Sequence, residues 1–133
     1  RYKDFVLPSG EDVTHSYKIP LAPKHNVLIG AQHRLPLGGE LELVSSLNYS
    51  WRSSQWGTIT PDVLSRRKAY GVLDGRLSLA GIKFGGDTEL ELSVWGKNLT
   101  DEKYWVSGIN LSAFTVRQWA DPRSFGFEAK LNF

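Results

Sequence analysis

The chain has 133 residues and a formal net charge of +2, with 16 Lys and Arg interspersed among 14 Asp and Glu. That balance lacks the basic stripe of a nucleic-acid surface, and zero cysteines exclude a disulfide scaffold and a thiolate metal site. The length allows one domain at most, and 13 glycines with 12% aromatic residues suit a β protein with many turns.

The chain opens on Arg1 and contains no Met, so it reads as a piece of something longer with an artificial start. Arg1 to Leu7 is expected to be the end of a further strand, and Pro8 to Pro23 a long irregular connection. From Asn26 to Leu35, Val27, Ile29 and Ala31 alternate with Asn26, Gly30, Gln32 and Arg34, and Leu28 breaks the pattern. Pro36 to Gly39 is a tight turn in which glycines supply positive φ. From Glu40 to Trp51, Leu41, Leu43, Leu47, Tyr49 and Trp51 oppose Glu42, Ser46, Asn48 and Ser50. Arg52 to Lys68 is a second long irregular stretch.

From Ala69 to Gly81, Leu73, Leu77 and Leu79 share a face with Gly71 and Gly75, opposite Tyr70, Asp74, Arg76 and Ser78. The tight turn Lys83 to Asp87 leads into Thr88 to Asn98, where Leu90, Leu92 and Val94 oppose Glu89, Glu91, Ser93 and Lys97. After a third long connection, Thr100 to Arg123, comes Ser124 to Phe133. There Phe125, Phe127, Ala129, Leu131 and Phe133 alternate with small, charged or amide residues, and the chain stops on an aromatic. Period two fits every segment better than the helical spacing.

The predicted fold class is therefore all-β, an antiparallel meander of five to six long strands. Ten residues at about 3.3 Å each, tilted near 45°, span ~23 Å, close to the apolar band of an outer-membrane barrel. No apolar run reaches the ~20 residues of a membrane helix, a test that alternating strands escape. The connections alternate short and long, the asymmetry of barrels with short periplasmic turns and long extracellular loops. That parity puts the C-terminus on the periplasmic side.

Several residues resemble the C-terminal end of a TonB-dependent outer-membrane receptor. Leu92 to Tyr104, running through Asn98-Leu99-Thr100-Asp101, resembles the family's penultimate strand, which continues into Asn-Leu-Phe/Thr-Asp-x-x-Tyr. Asp121-Pro122-Arg123-Ser124-Phe125-Gly126 is similar to the opening of its final strand, and Phe133 to its terminal aromatic. Ala22-Pro23-Lys24-His25 and Arg67 to Leu77 resemble the starts of earlier strands.

The resemblance implies a 22-stranded barrel occluded by an N-terminal plug, importing ferric siderophores or similar scarce nutrients with energy from TonB. Residues 1–133 would then be a C-terminal barrel fragment without plug, not transport-competent alone. Its implied partners are outer-membrane lipid, the rest of its own barrel and plug, and TonB only through the absent N-terminal part. The barrel-assembly machinery would act through a signal comprising Phe125, Phe127, Leu131 and Phe133. The implied localisation is the outer membrane, and no cofactor is implied. Alternatives are a segment of another outer-membrane barrel, porin-like, or a soluble carbohydrate-binding β-sandwich.

No Ser-His-Asp arrangement or phosphate loop is present, so catalysis is not expected. His15, His25 and His33 match no metal-ligand spacing. Glu89 and Glu91 are expected to meet Arg76, Lys97 or Lys130 across strands in a wet lumen. Tyr49, Trp51, Trp56, Tyr70, Tyr104 and Trp105 fall at the long-loop ends of their strands, where an interfacial aromatic belt would lie. A sharper reading sends Trp56, Trp105 and Trp119, with Arg66, Arg67 and Arg117, into the vestibule as ligand contacts for an anionic, aromatic-bearing ligand.

Overall fold

The structure, a computed structural model, describes residues 4–60, 62–86, 88–111 and 113–133. Its strands run β1 (Asn26–Gly38), β2 (Leu41–Arg52), β3 (Gln55–Trp56), β4 (Arg66–Arg67), β5 (Tyr70–Gly85), β6 (Thr88–Lys97), β7 (Trp105–Asn110), β8 (Thr115–Trp119) and β9 (Ser124–Asn132). A 3-10 turn, Val63–Ser65, precedes β4. Two compact units result. A sheet unit comprises Val27–Trp51, Gly71–Glu102 and Asp121–Phe133; a loop unit comprises Arg1–Asn26, Arg52–Tyr70 and Lys103–Ala120.

The sheet unit is one antiparallel meander in the order β1-β2-β5-β6-β9. Its register keeps the two-residue alternation of each strand in phase. Leu77 faces Val94, which faces Phe127, and Leu79 faces Leu92, which faces Ala129. One row back, Ser78 faces Ser93, which faces Glu128. One face of the sheet is thus apolar from strand to strand and the other polar.

The apolar face is uncovered: Ile29 is 59% exposed, Leu47 51%, Val94 52% and Phe127 67%. Among the described residues Val13, in the loop unit, is the sole hydrophobic residue that is buried. A water-soluble domain of this size draws most of its stability from an apolar core. Within its own unit this sheet is a single layer with none.

Two short connections use one device. Gly38 and Gly39 have φ of 116° and 61°, and Gly85 and Gly86 have 116° and 57°. Only glycine takes both values without strain, so two sequence-distant Gly-Gly pairs build like turns at the same end of the meander. Asp87, part of the second predicted turn, lies outside the described residues. The strand β5 runs past its expected end at Gly81, because a bulge between Leu79 and Ile82 restores the alternation. Gly81 sits in that bulge at φ 76°, where a Cβ would overlap the Glu40 carbonyl.

Three expectations need correction. Residues 4–7 form no strand beyond an isolated bridge from Val6 to Asp12, since a tight local turn takes their hydrogen bonds; residues 1–3 lie outside the described ones. The second and third long connections are not irregular, because they fold into the β3–β4 and β7–β8 hairpins. The final strand, expected to run from Ser124 to Phe133, ends at Asn132, leaving Phe133 98% exposed beyond it.

Candidate functional site

Two arrangements gather the chemistry-bearing side chains. The first is the polar face of the sheet. Arg76 on β5 reaches across β6 to hold Glu128 on β9 through two hydrogen bonds, 3.2 and 2.9 Å. The same guanidinium donates to Ser93 at 2.8 Å and to Ser78 at 3.2 Å, and stands 3.9 Å from Glu91. Ser78 and Ser93 are 4% and 2% exposed and share a 2.9 Å hydrogen bond. Lys83 pairs with Glu40 and lies 3.8 Å from Glu89, while Arg34 meets Glu42 at 3.3 Å. These ion pairs touch β1, β2, β5, β6 and β9 or the turns that end them.

The expected Glu91–Arg76 contact is present. Glu89 meets Lys83 instead of Arg76, Lys97 or Lys130, because the bulge in β5 sets Lys83 opposite it. Glu128, the tightest partner of Arg76, was missed, although strand parity alone places it on the same face.

Aromatic rings complete this face. Trp95 lies against Gly126, where any Cβ would collide with the indole, and Lys97 stands 5.5 Å from the ring. On the apolar face Tyr49 covers Gly71 and Phe125 packs on Gly96 in the same manner. Each glycine removes a side chain that a cross-strand ring then replaces.

Where β6 ends, Asn98 takes φ 50° and is 5% exposed. Its side-chain nitrogen donates to the carbonyls of Glu102 and Asp121, 3.0 and 3.3 Å, and its oxygen accepts from the Glu102 amide at 2.8 Å. Its own amide donates to the Asp74 carboxylate at 2.8 Å. Asp101, at φ 54°, accepts from the Arg123 amide at 3.2 Å. The Asn-Leu-Thr-Asp motif is therefore a backbone clasp: a left-handed turn that Asn and Asp tolerate, tied to the start of β9.

The second arrangement lies in the loop unit. Trp105 has Arg67 at 4.5 Å and Arg117 at 5.4 Å from its ring centre, and Arg66 lies 5.7 Å from Trp56. Tyr70 stacks on Tyr104 at 4.0 Å and 10°. Arg67 is 7% exposed and donates to the Val106 carbonyl. With the Gln55 amide turned so that its nitrogen donates to Leu21, its oxygen accepts from Arg67 at 3.3 Å. The Arg67 Nε has no partner among the described residues. Burial pushes the Arg67 guanidinium below its ordinary value, Tyr70 opposes that shift and the charge of Arg52 adds to it.

Five of the six expected ligand contacts are thus engaged with one another, and Trp119, 58% exposed, is the open one. The recess beside them is lined by Gly57, Ser65, Trp105, Asn110 and Arg117 and encloses room for about one water molecule. His15, His25 and His33 lie apart, on a turn, a loop and β1. Among the described residues no three His, Asp or Glu side chains gather to hold a metal. No family model matches the chain, and neither the curated proteins nor the solved structures contain a significant match.

Proposed function

We propose that the chain is a segment of the wall and extracellular loops of a TonB-dependent outer-membrane receptor that imports a ferric siderophore or a similar scarce nutrient. One observation carries the reading: a single-layer meander whose apolar face stays open while its polar face is tied by ion pairs. In lipid, backbone groups must pair between strands and apolar side chains need no protein cover, so such a sheet is stable as barrel wall. Five strands fall short of the eight of the smallest barrel, so the wall is shared with strands outside this sequence. The polar face then lines the lumen. The Gly-Gly turns point to the periplasm, and the connections holding the Trp and Arg residues lie outside the cell. The family assignment rests on the Asn98 to Tyr104 and Asp121 to Phe133 motifs.

The test is insertion of the urea-unfolded chain into lipid vesicles, followed by protease protection. Leu77→Glu, Leu92→Glu or Phe127→Glu should abolish protection, whereas Lys130→Glu, at an exposed position of the polar face, should retain it. Equal tolerance on both faces would sink the barrel-wall reading.

A further inference from the structure

The loop unit carries a surface that neither the sheet nor the transport reading uses. The β7–β8 hairpin exposes Ile109 (62%), Leu111 (51%), Phe114 (60%) and Val116 (53%), and the neighbouring 3-10 turn exposes Val63 (84%) and Leu64 (49%). These six form one crest. Ile109 and Val116 are cross-strand partners, and the Asn110 side chain donates to the Asp62 carboxylate that caps the 3-10 turn. Arg117 donates to the Leu64 carbonyl at 2.9 Å. Isolated exposed apolar residues need no explanation, but a joined patch on one hairpin and its neighbouring turn does.

The charge behind the crest is one-sided. Residues 52–70 and 103–120 hold six basic residues, Arg52, Arg66, Arg67, Lys68, Lys103 and Arg117, against one acidic residue, Asp62. Asp62 is already engaged by the Leu64 amide and Asn110. Arg66, Lys68, Lys103 and Arg117 are exposed.

We infer that this crest docks on an anionic lipid surface, its aliphatic tip entering the headgroup layer and its cations meeting lipid phosphates. The order of residues along the hairpin favours lipid over a protein partner. Leu111 and Phe114 lie at the tip, Arg117 follows directly behind Val116, and Trp105 and Trp119, cross-strand partners, lie at the base, with Arg67 and Arg117 4.5 and 5.4 Å from the Trp105 ring centre. Trp and Arg behind an aliphatic tip match the depth order of a membrane interface. A protein hot spot instead centres its Trp and Arg within the patch.

The chain has no cysteine, so Phe114→Cys and Phe127→Cys each take a single polarity-sensitive fluorophore. The full chain is mixed with phosphatidylcholine vesicles, and with vesicles in which about a third of the lipid is phosphatidylglycerol. The label at 114 should blue-shift on the anionic vesicles with a preference of roughly 30-fold or more, the value for two of the four exposed cations reaching the surface, and lose most of that preference in about 1 M salt. Ile109→Ser with Val116→Ser should remove the shift while the far-ultraviolet strand signal stays.

A label at 114 that stays in water with both lipids overturns the proposal and leaves the crest to a protein partner. An equal response to both lipids overturns the anionic assignment. The label at 127 reports the sheet separately. If it finds lipid while 114 does not, the barrel-wall reading stands alone; if 114 responds and 127 stays in water with both lipids, only the crest proposal survives.

Discussion

Arg76 binds Glu128 across an intervening strand, with Ser93 of that strand hydrogen-bonded beneath the pair. The contact is possible because Ser78, Ser93 and Glu128 lie in one register row, and the two serines are short enough to let a guanidinium pass over. One side chain thereby ties β5, β6 and β9.

A double-mutant cycle with Arg76→Met and Glu128→Gln, read by urea midpoint in detergent, should give a larger coupling than Arg34→Met with Glu42→Gln. Arg76 is bidentate and shares Ser93, whereas Arg34 and Glu42 are joined by one 3.3 Å contact with 63% and 38% of their side chains exposed. Equal couplings would mean that the shared serine contributes nothing.

Asn98 answers to two separate demands, a positive φ and three side-chain hydrogen bonds. Asn98→Gly keeps the first and loses the second, at about 1 kcal/mol for each bond lost from a buried group, so roughly 2–3 kcal/mol in all. Asn98→Ala adds the cost of a left-handed Cβ residue, about 1 kcal/mol more. The midpoints of thermal unfolding in detergent should fall in the order wild type, Asn98→Gly, Asn98→Ala. Were Ala no worse than Gly, the backbone conformation would not be part of the clasp.

Gly126 and Trp95 are a matched pair. Gly126→Val drives a side chain into the indole and should cost about 1–3 kcal/mol, as overpacking does elsewhere. Trp95→Ala should cost less in the Gly126→Val background than in the wild type, because there it also relieves the collision. Stability of the four combinations checks it, and strict additivity would show that ring and glycine do not touch.

Much of the sheet was legible because strand alternation is local: Leu90, Leu92 and Val94 declare their common face without knowledge of any partner. Register is not local. The Lys83–Glu89 contact depends on a bulge at Gly81, which nothing nearby announces. The β7–β8 hairpin escaped notice because the bulge between Trp105 and Ser107 and the mixed faces of Thr115 to Trp119 blur its period. With that hairpin unseen, the approach of Arg67 and Arg117 to the Trp105 ring was not legible in the sequence. Asn98 was legible as a motif but not as a clasp, since its partner carbonyl at Asp121 lies 23 residues away.

The first loop offers a prediction in pH. Asp12 accepts from the Thr14 amide at 2.9 Å, and Thr14 in turn accepts from the Phe5 amide at 2.7 Å, so this turn holds residues 5–14 together around buried Val13. Hydrogen bonding from Thr14 keeps the Asp12 carboxylate below its ordinary value. A depressed acid stabilises the fold above the unfolded-state pKa, near pH ~4, and that contribution is lost as pH falls through the folded value. Amide hydrogen exchange at Thr14 should therefore lose protection on acidification below about pH 4, after correction for the intrinsic rate. In Asp12→Asn the acid-dependent part should vanish while some protection persists, since the amide oxygen still accepts but carries no charge. Unchanged acid dependence in Asp12→Asn would assign the effect to a different carboxylate, with Asp4 and Glu11 the next to replace.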